Sequence, residues 1–347
     1  MPRNTRTPTA SLALGALIAL GATDVQAQDN VAAFYRGKTI QAIVGYTPGS
    51  TFELYLRFFI PHLPRHIPGN PAVVIQHMPG AGSLKATGYL AAVAQKDGLT
   101  IGMPNPVNTI EPLIDPQRTR FDPRQFAWLG SMNSEIPTCA SWAKDIQSFE
   151  DLKRRQFVAG ATGPAAGSAV DAKVVSSLLG LNFKVVTGYP GLTEVRLAAS
   201  RGEVDGHCGL QVSSLKTDVR DQYESGQLKV LMQTSLNKHP DLPGVRNAYD
   251  LLKKEEDRQL FKLIFGPWAY GRPLVAPPGT PPDRVEALRR AVKATLADPQ
   301  FQAEAKKVNL EVQPLEPEAI SKLVAEIFNT PEPVLELARG HLGVATR

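Results

Sequence analysis

The segment TIQAIVGYTPGSTFELYLRF, Thr39–Phe58, carries the pattern that decides the fold. It begins with a short, mostly apolar run that is typical of a buried strand, and the apolar spacing from Phe52 onward predicts a helix. The loop between them is built from small and hydroxyl residues. Because the first amides of a helix lack internal partners, Gly49, Ser50 and Thr51 are candidates for holding an anion. The alternative is that Ser50 or Thr51 simply caps the helix.

The same junction recurs three times along the chain. It is found in VVIQHMPGAGSLKATGYL (73–90), FVAGATGPAAGSAVDAKVV (157–175) and FKVVTGYPGLTEVRLAA (183–199). Four strand–loop–helix junctions suit a cleft that binds a small anion through backbone amides and hydroxyls, since ligands of open α/β folds sit at this edge of the sheet. The alternative is that the small residues only make efficient turns.

Short β-rich runs alternate with helical patterns through most of the chain, which indicates α/β architecture with parallel βαβ units. Its 347 residues favour two lobes over a single core. The C-terminal region instead predicts consecutive helices. Pro61 and Pro64 should end or kink the helix after Phe52 near Ile60. We expect strands near 39–46, 72–76, 99–103, 126–131, 137–142, 157–161, 182–187, 204–208 and 228–233, and helices near 52–66, 83–95, 148–155, 168–179, 192–201 and 246–265.

Residues 1–27 have the features of a secretory signal peptide. Arg3 and Arg6 precede the apolar run ASLALGALIALGA (10–22), and Val25–Ala27 gives a small-x-small cleavage pattern. The run is too short to span a bilayer, which needs about 20 residues. No cysteine follows the cut to take a lipid anchor. The mature chain is therefore expected to be exported to the periplasm without an anchor or a membrane span.

Composition and motifs exclude several classes of function. The net charge of +5 is mild and dispersed, so nucleic-acid binding is not expected. No G-x-S-x-G or H-E-x-x-H motif occurs, and RGKT (36–39) precedes its strand where a phosphate loop would follow one. We therefore expect no enzyme, no cofactor and no metal site. Cys139 and Cys208 are compatible with a disulfide in an oxidising compartment or with two isolated buried thiols.

Taken together, the motifs resemble the Bug-type receptors of tripartite tricarboxylate transporters, which are periplasmic solute-binding proteins. The resemblance covers nearly the whole mature chain. It is carried by FYRGKTIQAIVGYTPG (34–49), HIPGNPAVVIQHMPGAGS (66–83), KDGLTIG (96–102), KVVTGYPGLTEV (184–195), GEVDGHCG (202–209), HPDLPGV (239–245) and GRPLVAPPGTPPDRVEALR (271–289).

This resemblance implies a two-lobed flytrap fold, each lobe a mostly parallel sheet flanked by helices. Lobe 1 would comprise 28–140 and 270–347, lobe 2 would comprise 141–245, and 246–269 would lead back to lobe 1. It further implies that facing loops clamp a carboxylate. The ligand-binding residues carried over to this chain are Thr47, Gly49, Ser50, Thr51, Gly82, Ser83, Thr162, Gly167, Ser168, Tyr189, Thr193 and Asp205. Asp205 could meet an amino or hydroxyl group, or could merely cap a turn.

The chain departs from the family pattern at its first loop. Where the pattern usually has P-G-G-G-x-D, this sequence has Pro48-Gly49-Ser50-Thr51-Phe52-Glu53. We expect a changed ligand size or polarity, with Phe52 covering an apolar part of the ligand. The implied function is a carboxylate receptor, probably monomeric in the family sense of a single binding chain, that docks to permease subunits. The alternatives are a ligand-sensing partner of a membrane sensor kinase, and an exported enzyme on the same scaffold.

Overall fold

The computed structural model describes residues 30–119 and 121–344. The signal peptide predicted for residues 1–27 lies outside them. Two five-stranded sheets organise the described chain, and the lobes are named here after them: lobe 1 contains β1 and lobe 2 contains β5. The strands are β1 (Thr39–Val44), β2 (Ala72–His77), β3 (Thr100–Met103), β4 (Ala127–Ser131), β5 (Pro137–Ser141), β6 (Phe157–Ala161), β7 (Phe183–Thr187), β8 (Gly206–Gln211), β9 (Lys229–Gln233) and β10 (Pro273–Ala276).

Each sheet has four strands in one direction and one reversed strand. In lobe 1 the order is β2-β1-β3-β10-β4, and β10 pairs antiparallel with both of its neighbours. In lobe 2 the order is β7-β6-β8-β5-β9, with β5 reversed in the same way. The mostly parallel, two-lobed fold is thus confirmed. The reversed strands follow the two segments that cross between the lobes, which explains why they enter each sheet from the opposite side.

Helices flank both sheets and bury one apolar face each. They are α1 (30–35), α2 (Thr51–Phe59), α3 (Leu84–Ala92), α4 (Glu111–Ile114), α5 (Gly167–Leu179), α6 (Leu192–Ser200), α7 (Val212–Lys216), α8 (Arg220–Glu224), α9 (Ala248–Leu251), α10 (Glu255–Phe265), α11 (Pro282–Ala297), α12 (Pro299–Lys307), α13 (Pro317–Phe328) and α14 (Glu332–Leu342). No helix of the described residues is long and apolar enough to cross a membrane.

Several local predictions differ from the structure. Helix α2 ends at Phe59 with Ile60 as its C-cap, as the following prolines require. The helix expected at 148–155 is only a 3₁₀ turn over Asp151–Lys153. Strand β10 was not predicted, because its four residues are bordered by prolines. The lobe boundary predicted at 140 falls inside β5, which belongs to the second sheet, so the first crossing precedes Pro137.

The C-terminal helices do not all stay on lobe 1. Helices α11 and α13 pack on β4, whereas α14 lies against α5 of lobe 2. There His341 Nδ1 is 2.6 Å from Ser177 Oγ, and Lys173 Nζ donates to the Leu342 carbonyl at 3.4 Å. The chain end predicted for lobe 1 therefore also touches lobe 2.

The two crossing segments meet in a fully buried ion pair. Glu135 follows β4, Arg272 precedes β10, and Arg272 Nη2 lies 3.1 Å from Glu135 Oε1. Ser213 of lobe 2 donates to the same carboxylate oxygen at 2.6 Å. The Arg272 guanidinium also lies 4.2 Å from the Phe52 ring centroid and 4.9 Å from that of Tyr55. Aromatic faces and a carboxylate thus compensate for the desolvation of the guanidinium.

Candidate ligand-binding cleft

The strand-to-helix loops of the two sheets face one another and enclose a cavity of about 300 Å³. Lobe 1 contributes the ends of β1 and β2, and lobe 2 contributes the ends of β6 and β7. This arrangement brings together the four junctions that the sequence singled out. The lining residues are Gly45, Tyr46, Pro79, Gly80, Ala81, Gly82, Thr162, Gly188, Tyr189 and Pro190.

In the first loop, Ser50 acts as a helix cap. Its Oγ accepts the Glu53 amide at 3.2 Å, and Glu53 Oε2 accepts the Gly49 amide at 3.3 Å. Both groups satisfy helix-start donors, as the capping alternative requires. Gly49 itself has φ +84°, a conformation that favours glycine. The Ser50 hydroxyl and the Glu53 carboxylate are therefore engaged within the loop.

Thr51 reaches across to the opposite lobe. Its Oγ1 lies 2.7 Å from Ser214 Oγ and donates to Asp218 at 3.1 and 3.2 Å. Asp218 in turn forms an ion pair with the buried Arg196, with 2.5 Å between Oδ2 and Nη1. The residue that replaces a family glycine thus forms a direct contact between lobes, and the structure is of a closed cleft.

Phe52 does not cover the cavity as expected from the sequence. Its side chain is 1% exposed and its ring centroid is 4.8 Å from that of Tyr46. Together with the Arg272 guanidinium above its face, these contacts make Phe52 part of the packed region behind the first loop.

Glycines allow the backbones of the two lobes to approach closely. A Cβ placed on Gly82 would lie 2.3 Å from the Cα of Ala166, and one on Gly191 would lie 2.3 Å from Thr47 Oγ1. Either methyl group would collide with the opposite lobe. Gly82 therefore has its place in the cleft as a point of lobe contact, and Thr47 lies against the loop that precedes α6.

Four buried hydroxyls of the cleft loops have no hydrogen-bond partner in the described part of the chain. Thr47 Oγ1 and Ser83 Oγ belong to lobe 1, and Thr162 Oγ1 and Ser168 Oγ belong to lobe 2. Ser83 is fully buried and has φ +73°, an uncommon conformation for serine. Buried polar groups are nearly always paired in native proteins. Unpaired hydroxyls from both walls indicate that the cleft is built to hold a polar molecule.

The remaining residues predicted for lobe 2 border the same region. Tyr189 lines the cavity, and Thr193 Oγ1 accepts a hydrogen bond from Arg196 Nη2 at 3.4 Å. Gly167 opens α5 against lobe 1, since a Cβ on it would lie 3.5 Å from Asn105 Nδ2 and 3.3 Å from the Trp268 ring.

Asp205 is not in the cleft. Its carboxylate accepts from Arg155 Nη2 at 2.8 Å and from the Val158 amide at 2.7 Å. It precedes β8, while the opposite end of β8 leads to α7 and the contact with Thr51. The structural reading of Asp205, a residue that fixes a turn, is the correct one, and its proposed contact with a ligand amine or hydroxyl is wrong.

Asp171 is the acidic residue that sequence reasoning missed. It lies on α5, is fully buried, and neither carboxylate oxygen has a hydrogen-bond partner in 30–119 or 121–344. Burial raises the pKa of its carboxyl well above the ordinary value. The signal in the sequence was an acidic residue one turn after Ser168, in a helix start otherwise built from small and apolar residues.

A group of possible metal ligands lies at another contact between the lobes. His239, Asp241 and Glu311 bring one side-chain ligand atom each within 4.8 Å of the others. Lys216 Nζ forms ion pairs with both Asp241 and Glu311. The lysine ammonium therefore already supplies a cation to these carboxylates, and it ties lobe 2 to the segment before α13.

Behind the cleft, Cys139 of β5 and Cys208 of β8 form a disulfide between directly paired strands. This is one of the two alternatives that the sequence left open. The neighbouring His207 is fully buried, stacks on Trp142 at 5.7 Å, and has its Nδ1 3.0 Å from the Cys208 carbonyl. Burial lowers the pKa of His207 to about 4, so the ring is neutral at physiological pH.

Comparison with known proteins connects this geometry to a family. The family model described as "Tripartite tricarboxylate transporter family receptor" matches residues 66–339. No curated protein sequence matches the chain.

Solved structures share the fold at low sequence identity. The periplasmic binding protein BugD has a TM-score of 0.71 and 22% identity, covering 90% of this chain and 100% of its own. MatC from Rhodopseudomonas palustris with bound malate has a TM-score of 0.65 and 16% identity, covering 88% and 99%. An R. palustris protein with adipate has a TM-score of 0.65 and 18% identity, covering 87% and 97%. At these identities the similarity shows the fold.

Proposed function

The chain belongs to the tripartite tricarboxylate transporter receptor family, and from this premise we propose that it captures a small organic acid between its lobes and delivers it to the permease subunits of such a transporter. The site of action would be the periplasm, after removal of the leader at 1–27. The family and the fold are those of solute-binding proteins.

The observation that carries the proposal is the set of unpaired hydroxyls at the cleft. Thr47 and Ser83 on one wall, and Thr162 and Ser168 on the other, are buried without partners in the described chain. An acid held between the loops would accept from these hydroxyls and from helix-start amides. Closure would then enclose the ligand, and binding energy would favour the closed state.

The similar structures support a carboxylate as the ligand class. Two of them hold dicarboxylates, malate in MatC and adipate in the second R. palustris protein. The bases that an enzyme on this scaffold would need have other roles here, since Glu53 serves the first loop and Asp205 pairs with Arg155. A receptor therefore accounts for the cleft better than a catalyst does.

A thermal-shift screen of organic acids on the mature chain tests this proposal. A ligand at 100 times its Kd stabilises the folded form by about 2.7 kcal/mol, so Tm should rise by roughly 5–10 °C. The acid should be recovered unchanged after incubation. If no di- or tricarboxylate or amino acid raised Tm, the receptor proposal would be wrong, and conversion of the acid would identify an enzyme instead.

A further inference from the structure

Asp171 places an unpaired acidic group at the contact between the lobes. Helix α5 begins at Gly167, beside Asn105 and Trp268, and Asp171 lies one turn later on the same helical face. Its Oδ2 would be 3.3 Å from a Cβ placed on Gly209, so the carboxylate lies over the glycine backbone of β8. A side chain at position 209 would occupy the space that the carboxylate now borders.

The carboxylate is electrostatically close to the wall of the cavity. Asn105 Nδ2 donates to the Tyr46 hydroxyl at 2.5 Å, and Tyr46 lines the cavity. Burial is the main cause that raises the pKa of Tyr46 to about 12, and the negative charge of Asp171 adds to the rise. The Asp171 carboxylate and the Tyr46 hydroxyl therefore belong to one polar region at the lobe interface.

Other polar atoms in this region are also without partners. Ser168 Oγ, one helical turn before Asp171, and Trp268 Nε1, beside Gly167, are both buried and unpaired in the described residues. Hydroxyl, indole and carboxylate thus border one another around the start of α5. Their coincidence marks a place where a polar group of a bound molecule completes the structure.

The chain supplies no counter-ion to Asp171 from the residues described. The neighbouring buried cation, Arg272, is paired with Glu135 at 3.1 Å. An ionised carboxylate buried without a partner is costly, so in the empty closed state the Asp171 carboxyl is neutral. A ligand that brings a positive charge would relieve this cost.

We propose that Asp171 makes the cleft select an acid that also carries a protonated amine over the plain acid of the same length. This inference rests on the proposed receptor function. An ammonium offers three donors and one positive charge. The two Asp171 oxygens and the Ser168 hydroxyl, which are neighbours at i and i+3 on α5, offer three acceptors. A plain acid would leave Asp171 without a partner.

The test measures binding of matched acids by isothermal titration calorimetry. The pairs are succinate with aspartate and glutarate with glutamate, which differ by one amino group. In the wild type the better amino acid should bind at least ~10-fold more tightly than its plain partner, as expected for a desolvated charge pair. N-acetylation of that amino acid should remove the advantage, and this measurement needs no variant.

The Asp171→Asn variant tests the residue directly, because it keeps the shape and removes the charge. The preference should fall to within about threefold, while Asp221→Asn, a matched change at an exposed aspartate of α8, should retain it. Equal binding of plain and amino acids to the wild type, or an unchanged preference in Asp171→Asn, would overturn the role of Asp171 and leave the receptor function intact. Failure of every acid to bind the wild type would overturn both.

Discussion

Arg272 Nη2 lies 3.1 Å from Glu135 Oε1, and these two fully buried residues stand on the two segments that cross between the lobes. The pair therefore joins the crossings at the point where a hinge must bend. Ser213 Oγ attaches the same carboxylate to lobe 2. The arrangement fixes the relative position of the crossings while the loops at the cleft are free to meet a ligand.

Removing one member of this pair should destabilise the protein strongly. In Glu135→Gln the Arg272 guanidinium stays buried without its counter-charge, and we expect a loss of about 3–5 kcal/mol. Differential scanning calorimetry should show a fall of roughly 10 °C in Tm. Arg220→Met removes a cation from exposed pairs on α8 and should cost less than about 1 kcal/mol. Equal losses in the two variants would show that the buried pair has no special weight.

Thr51 should affect ligand binding more than stability, and Ser50 the reverse. Thr51→Val keeps the shape but removes the hydroxyl that contacts Ser214 and Asp218. Losing one hydrogen bond of about 1 kcal/mol from the closed state should weaken ligand affinity by roughly fivefold.

Ser50→Ala removes the cap on Glu53 and should lower the free energy of unfolding by about 1 kcal/mol, with affinity unchanged. Calorimetric titration and thermal unfolding of both variants measure the two effects. If the Ser50 variant lost affinity and the Thr51 variant did not, the assignment of cap and lobe contact would have to be exchanged.

Protonation of His207 should contribute to acid unfolding. Its folded-state pKa of about 4 lies below the ordinary value of 6.5, so the unfolded chain binds the proton more readily. Its contribution to stability is present above pH 6.5 and is lost as the pH falls toward 4, by about 3 kcal/mol in all.

His207→Asn has no group that titrates in this window. Its Tm deficit relative to the wild type should therefore shrink between pH 7 and pH 4.5. A deficit that stays constant over this range would mean that His207 does not titrate in the folded protein with a lowered pKa.

The disulfide should stabilise lobe 2 by restricting its unfolded chain. Cys139 and Cys208 are separated by 69 residues, and closing a loop of this length contributes about 4 kcal/mol in the chain-entropy account. The urea midpoint of the oxidised protein should exceed that of the Cys139→Ser/Cys208→Ser variant. Free thiols in the folded, air-oxidised protein, detected by mass spectrometry after alkylation, would contradict the bridge.

The elements that local pattern could predict are those whose own residues specify them. Strand β1 and helix α2 follow from a β-branched run, a small loop and a helical apolar spacing. Strand β10 depends instead on pairing with β3 and β4, which are about 140 to 170 residues earlier in the chain. Its four residues carry no comparable local signal.

The same limit separates Asp205 from Asp171. Both are aspartates beside secondary-structure elements, and the sequence favoured Asp205 because glycines surround it. Asp205 receives Arg155, fifty residues away in the chain, whereas no cation reaches Asp171 from the described residues. Which carboxylate is paired is decided by tertiary packing, which local patterns do not encode.

Binding by the cleft hydroxyls is the central claim, and titration calorimetry of the best organic acid from the thermal screen tests it most directly. The titration compares the wild type with Thr162→Val/Ser168→Ala and with Ser225→Ala, an exposed serine used as the control. We expect a single site in the wild type and in Ser225→Ala, and at least ~10-fold weaker binding in the double variant, since each lost hydrogen bond to a charged group is worth about 1.5–3 kcal/mol. Unchanged affinity in the double variant would show that the acid binds elsewhere and would contradict the account.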